Sequence, residues 1–177
     1  MKKSEQKGAE MLKKDRGLIS HPFPPLFDKN SKILILGSFP SVKSREQLFF
    51  YGHPQNRFWK VLAAVFGVKT PDGIDEKRKF LLSHRVALWD VIASCEITGS
   101  ADSSIKNVQA NDLSCILSGA DIKQIFVNGK TAEKYFNQYT KDVIHREAVC
   151  LPSTSPANAA WSLERLIEAW SIVKESM

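Results

Sequence analysis

The run from Lys32 to Gly37, KILILG, constrains this chain more than any other stretch. Four consecutive β-favouring apolar residues predict a strand covered on both faces, as in a parallel sheet, rather than an alternating strand with one side in water. In such sheets ligands sit beyond the carboxyl ends of the strands. Ser38, Phe39, Pro40 and Ser41 are therefore expected at that edge. The stretch they open, Gly37 to Trp59 (GSFPSVKSREQLFFYGHPQNRFW), crowds Ser, Pro, Tyr, His, Asn and Trp into one loop that becomes a helix. It is the predicted active-site segment.

The remaining elements follow from periodicity. Asn56 to Phe66 places Trp59, Leu62, Ala63 and Phe66 at helical spacing with Gly67 as a stop, so Phe58 and Trp59 read as core anchors. A short charged helix is expected over Asp72 to Arg85, then a second strand in VALWDVI, Val86 to Ile92, with Asp90 near its end. Ser94 to Asn107 is polar and rich in turn formers and reads as a long loop. Asn111 to Leu117 suits a short helix. A third strand, KQIFVN, ends at Asn128, and Gly129 opens a helix through Ala132, Tyr135 and Phe136. A fourth strand falls within Val143 to Leu151. The last helix presents Trp161, Leu163, Leu166, Ile167, Trp170 and Val173 on one face, with Ser155 as its expected N-cap and Pro156 at its first position. Strands alternating with helices predict a three-layer α/β/α sandwich around a four-stranded, mostly parallel sheet.

Composition sets the outer bounds. A chain of 177 residues with 43% hydrophobic content is long enough for one well-covered core. A net charge of +6 leans towards an anionic partner such as nucleic acid, although a solvated basic surface accounts for it as well. Half of that charge lies in Met1 to Gly17, which is either a solvated extension or a basic arm touching DNA backbone. His21 to Phe27, HPFPPLF, reads as an extended strap across the domain, with His21 structural. Cys95, Cys115 and Cys150 form neither a disulfide framework nor a CxxC metal site, which suits a reducing cytosol. No apolar leader or membrane-length run is present. A cytoplasmic protein, nucleoid-associated in a bacterium or archaeon, is expected, with no membrane partner.

Three strand-end loops should converge on one rim: GSFPS with YGHPQN, then VNGK, then LPSTSPAN. They carry no GxGxxG or Walker sequence and no short-spaced metal ligands, and GSFPS has Phe39 where a nucleophile elbow needs Ser. What they do carry, amides, hydroxyls and aromatics, suits a planar base: an aromatic ring to stack, Asn to bond the edge, Ser and backbone N–H groups for phosphate. Extrahelical nucleobases are held in this way.

Taken in order, GSFPS, YGHPQNRFWKV, ALWDV, FVNGKTA and LPSTSPANA resemble the uracil-DNA glycosylase superfamily, and most the hypoxanthine-DNA (deoxyinosine) glycosylase branch, its sixth family. The resemblance spans about Lys32 to Val173, and its HPxNRFW portion is shared with the mismatch-specific uracil/thymine glycosylases. The chain is thus expected to divide into a basic tail and Pro-rich strap at residues 1–30, read from charge and proline content, and a glycosylase domain at 31–177, which the resemblance implies. The implied enzyme is a monomer that hydrolyses the N-glycosidic bond of a deaminated base flipped from single- or double-stranded DNA, with no metal or organic cofactor.

Residue roles carry over as the resemblance implies them. Tyr51 matches an aromatic that stacks on the flipped base, with Ser38 and Phe39 beside it in the base site; a rim aromatic packed on the loop is the plainer account of Tyr51. Asn56 matches the catalytic Asn of the deoxyinosine branch, orienting water towards C1′, and can also cap the helix that follows it. Asn128 matches the second important Asn, bonding the base edge or the water. His53 either stabilises the departing base or braces the loop. Ser41, Ser153, Ser155 and Lys130 are the implied phosphate contacts, with Lys43, Arg45, Arg57 and Lys60 as further candidates. Phe39 stands where many members carry Asp or Asn, so the usual water-activating group of the first motif is absent and strong uracil excision is in doubt. A neutral site remains workable, because cleavage spreads charge that preorganised dipoles stabilise.

Two other readings stay open. One is a mismatch uracil or thymine glycosylase of the same fold; the other is a catalytically silent nucleic-acid-binding module, which Phe39 keeps alive. A metal hydrolase is disfavoured by the lack of clustered ligands.

Overall fold

The computed structural model describes residues 17–177; apart from Gly17, the basic arm at Met1 to Gly17 lies outside them. After a short strand β1, Leu18–Ser20, the apolar run forms β2, Ile33–Gly37, buried along its whole length. Its side chains alternate between two cores, as the two-residue period requires. Ile33 and Ile35 join Phe58, Leu62, Leu166 and Trp170 on one side, whereas Leu34 and Leu36 join Ile116, Ala132 and Phe136 on the other. Each such side chain taken fully out of water contributes roughly 1.5–3 kcal/mol.

Helix α1, Val42–Gln47, is capped by Ser41, whose Oγ accepts from the Ser44 N–H at 3.2 Å. Helix α2, Phe58–Phe66, buries Phe58, Trp59, Val61, Leu62 and Ala63, and Gly67 ends it at φ +69°. Helix α3 spans Gly73–Ser83 and leads into β3, Val86–Asp90. The expected strand Val86 to Ile92 is in fact two. Val91 interrupts it, donating its N–H to the Gly37 carbonyl, and β4, Ile92–Glu96, leaves for a different sheet. There β4 pairs antiparallel with β1 and with β5, Lys106–Ala110, giving a three-stranded sheet that takes in both ends of the predicted loop Ser94 to Asn107.

The chain then returns through α4, Ser114–Gly119, to β6, Gln124–Asn128. Helix α5, Lys130–Tyr135, continues through a π turn at Phe136–Thr140 into α6, Lys141–Ile144, before β7, Val149–Leu151. The main sheet is parallel throughout, in the order β3-β2-β6-β7, with helices on both faces. This is the predicted α/β/α sandwich, with the second sheet as an addition.

The final helix starts later than Pro156. Helix α7, Leu163–Trp170, is capped by Ser162, which accepts from the Arg165 N–H, and α8, Ile172–Glu175, follows it. Ser155 instead accepts from Ala157 N–H in a tight turn. Leu166, Trp170 and Val173 are buried from these helices, so the apolar face is as expected even though its start is not.

Candidate active site

The carboxyl ends of β2, β3 and β6 open into a cavity of about 530 Å³. This lies within the range of small-molecule sites. Nine of the ten residues given a role by the resemblance, the further basic candidates aside, line it: Ser38, Phe39, Ser41, Tyr51, His53, Asn56, Asn128, Ser153 and Ser155. The tenth, Lys130, lines an adjoining groove that shares Asn128, Ser153 and Ser155 with the cavity.

The two asparagines are joined by a residue that sequence reasoning passed over. Thr154 is wholly buried. Its backbone N–H donates to Asn128 Oδ1 at 3.1 Å, Asn128 Nδ2 donates to Thr154 Oγ1 at 3.0 Å, and that hydroxyl donates to Asn56 Oδ1 at 2.9 Å. Asn56 Oδ1 also accepts from the Phe58 N–H at 2.9 Å, the capping role expected of it. A backbone N–H can only donate, so both amides have their orientation fixed. With both lone pairs of Oδ1 engaged, Asn56 offers the cavity its Nδ2 protons. That geometry favours donation to an acceptor.

Tyr51 stacks on Phe58 with ring centroids 4.0 Å apart, and its backbone sits in the left-handed region at φ +51°. Its Oη is buried without a hydrogen-bond partner among the described residues. Burial above all, then the Asp90 charge, hold this hydroxyl far above its ordinary pKa, while the nearby Asn128 amide opposes the shift. His53 Nδ1 accepts from the Gln55 N–H at 3.1 Å, which leaves Nε2 to carry the ring proton.

The cavity is not neutral. Asp90, at the end of β3, and Asp102, shortly after β4, both line it. Asp90 is 4% exposed, and its Oδ2 meets His21 Nε2 at 2.7 Å. His21, carried in by the strap, is caged by Phe23, Phe39 and Trp89. Gly37 is needed here: a Cβ on it would collide with Asp90 Oδ1 and lie 3.2 Å from Tyr51 Oη. Gly129, at φ +95°, likewise lets Ser153 approach within 2.9 Å of where a Cβ would stand.

Of the basic candidates, Arg57 is withdrawn from any phosphate role. Its guanidinium donates to the carbonyls of Ser155, Asn158 and Trp161, and so holds the LPSTSPAN loop against α2. Arg45 likewise donates to the Gly99 carbonyl. Lys43 and Lys130 make surface pairs with Glu46 and Glu133, and Lys60 is exposed. Among the described residues, no group of three or more His, Cys, Asp or Glu could hold a metal ion, and no helix is long and apolar enough to cross a membrane.

A family model described as the uracil DNA glycosylase superfamily matches residues 24–174. A hypoxanthine DNA glycosylase of Methanosarcina acetivorans is 35% identical over 158 residues, covering 88% of this chain and 98% of the relative. One of Methanosarcina barkeri is 34% identical over 115 residues, 64% of this chain and 73% of its own. A solution NMR structure of a Methanosarcina acetivorans protein with a provisional uracil DNA glycosylase name superposes with a TM-score of 0.76 at 32% identity, covering 90% of this chain and 98% of that one.

Proposed function

The chain belongs to the uracil-DNA glycosylase superfamily, and from that premise we propose that it excises hypoxanthine from deoxyinosine in DNA, with Asn56 and Asn128 as the principal catalytic side chains. The observation that carries this reading is the Thr154 bridge, which locks two amides from separate strand-end loops into one cavity with Tyr51. Locked dipoles are what glycosidic cleavage needs, because charge develops on the departing base and the sugar while the protein need not reorganise.

In this reading the base enters against the aromatic lining, and Asn56 Nδ2 donates to the leaving purine as its negative charge grows. The free Nδ2 proton of Asn128 bonds the base edge. His53, with Nε2 protonated, is a second donor for the departing base. Ser153, Ser155 and Lys130 follow the phosphates along the adjoining groove and Ser41 meets them from the main cavity, with the protein acting as a monomer. Extrusion costs a few kcal/mol and least at a damaged or mismatched pair. Inosine opposite thymine or unpaired should therefore be released faster than inosine in a stable pair.

Incubating the protein with oligonucleotides carrying deoxyinosine or deoxyuridine and scoring abasic sites tests the reading. Release of hypoxanthine in preference to uracil supports it. The converse favours a mismatch uracil glycosylase, and binding with no release of either favours a silent module.

A further inference from the structure

We infer that Asp90 is a specificity-determining residue: its carboxylate, held by His21, accepts a hydrogen bond from N1–H of the extruded base and so selects 6-oxopurines over adenine. This rests on the hypoxanthine reading above and names the atom that reads the base.

The argument starts from the difference between the two purines. Deamination of adenine replaces an N1 acceptor by an N1–H donor and the 6-amino group by a 6-oxo group. A site that recognises the product needs an acceptor that cannot donate. Hydroxyls and amides can present either character, whereas an ionised carboxylate only accepts. Asp90 is such a group, at the end of β3 and in register beside Gly37.

Its surroundings suit reading rather than bulk proton exchange. Asp90 lines the cavity yet is 4% exposed, so a group meeting it must come deep into the site. Oδ2 is engaged by His21 Nε2, while Oδ1 has no hydrogen-bond partner among the described residues. The backbone carbonyl of Asp90 is fixed as well, accepting from Asn111 Nδ2 at 2.9 Å. Glycine at position 37 leaves room for Oδ1 across the strand end. The carboxylate is thus oriented on one oxygen and available on the other. Adenine would set its N1 lone pair against that oxygen, and the mismatch leaves a buried acceptor unpaired, the arrangement by which sites reject analogues most strongly.

The test uses DNA containing deoxyinosine and DNA containing 2′-deoxynebularine, whose unsubstituted purine lacks N1–H. Single-turnover release is measured for the wild type, Asp90→Asn and His21→Gln. The wild type should release hypoxanthine at least about 10-fold faster than purine. Asp90→Asn should lose about 10- to 100-fold on hypoxanthine, the range for a hydrogen bond to a charged group, and less than about 3-fold on purine. His21→Gln, which keeps a donor near Oδ2, should retain most of the preference. Equal losses on both bases, or no loss on hypoxanthine, would overturn the assignment. Should Asp90→Asn fail to fold by circular dichroism, the wild-type ratio decides, and a ratio near one overturns it. A wild type that releases neither base defeats the glycosylase reading itself, a different failure.

Discussion

Thr154 Oγ1 lies 2.9 Å from Asn56 Oδ1, and through that hydroxyl two amides 72 positions apart in the chain behave as one hydrogen-bonded unit. The loop that carries Thr154 is pinned twice more, by Arg57 N–H donating to the Thr154 carbonyl at 3.1 Å and by the Arg57 guanidinium.

Thr154→Val keeps the shape and removes the bridge. It leaves a buried Asn128 donor unpaired and frees one lone pair of Asn56, costing about 1–3 kcal/mol of stability. Excision should fall about 10- to 100-fold. Thr154→Ser, which restores the hydroxyl, should recover most of both. Urea unfolding and single-turnover release measure the two effects.

Asn56→Asp separates donation from acceptance. The carboxylate can still accept from Phe58 N–H and Thr154 Oγ1, but the Nδ2 protons are gone. If Asn56 acts as a donor to the leaving base, Asn56→Asp should be as slow as Asn56→Ala, about 10²–10³-fold below wild type. Near-wild-type release by Asn56→Asp would restore the water-orienting role.

Arg57→Lys tests whether that guanidinium is structural. A single ammonium cannot reach three carbonyls in a fixed fork. The variant should lose about 1–3 kcal/mol in urea unfolding while the slope of log affinity for DNA against log salt stays unchanged. Lys130→Gln, which removes a cation from the phosphate groove, should do the reverse and lower that slope by about 0.9.

Tyr51 gives a signature at high pH. Its hydroxyl keeps its proton in the folded state well above its ordinary value of 10.0, whereas in the unfolded chain it ionises there. The stabilisation is complete below pH 10 and is lost as pH rises from 10 towards the folded value, at up to about 1.4 kcal/mol per pH unit. Cys95, pushed up to about 11 by burial, adds a similar loss from pH 9. Tyr51→Phe should therefore flatten the fall above pH 10 without removing it. Identical alkaline profiles for the two proteins would contradict the burial of this hydroxyl.

What was legible in the sequence is what local pattern encodes. KILILG reads as a doubly covered strand because all four apolar side chains are buried, two on each face of the sheet. Asn56 and Asn128 were found because motif and strand end mark them. Thr154 was not, since its value lies in bonds to residues 98 and 26 positions away, and LPSTSPAN offers several hydroxyls with nothing local to tell them apart. His21 reads as structural in the strap, but its pairing with Asp90 is not legible for the same reason, since that partner is 69 positions on. The split of VALWDVI at Val91 is hidden because Val91 and Ile92 remain buried as the chain passes between sheets, so hydrophobicity does not drop where the strand ends. Ser155 reads as the helix cap because Pro156 follows it, but a tight turn intervenes and the cap is Ser162.

The central claim, that Tyr51, Asn56 and Asn128 bound one cavity that detaches hypoxanthine from deoxyribose, is tested most directly by single-turnover release from deoxyinosine DNA by the wild type, Asn56→Ala, Asn128→Ala and the double variant. The account predicts hypoxanthine release by the wild type and a loss of about 10²–10³-fold for each single change. Because Thr154 couples the two amides, the double change should cost less than the product of the single losses. Full-rate release by either single variant would contradict it.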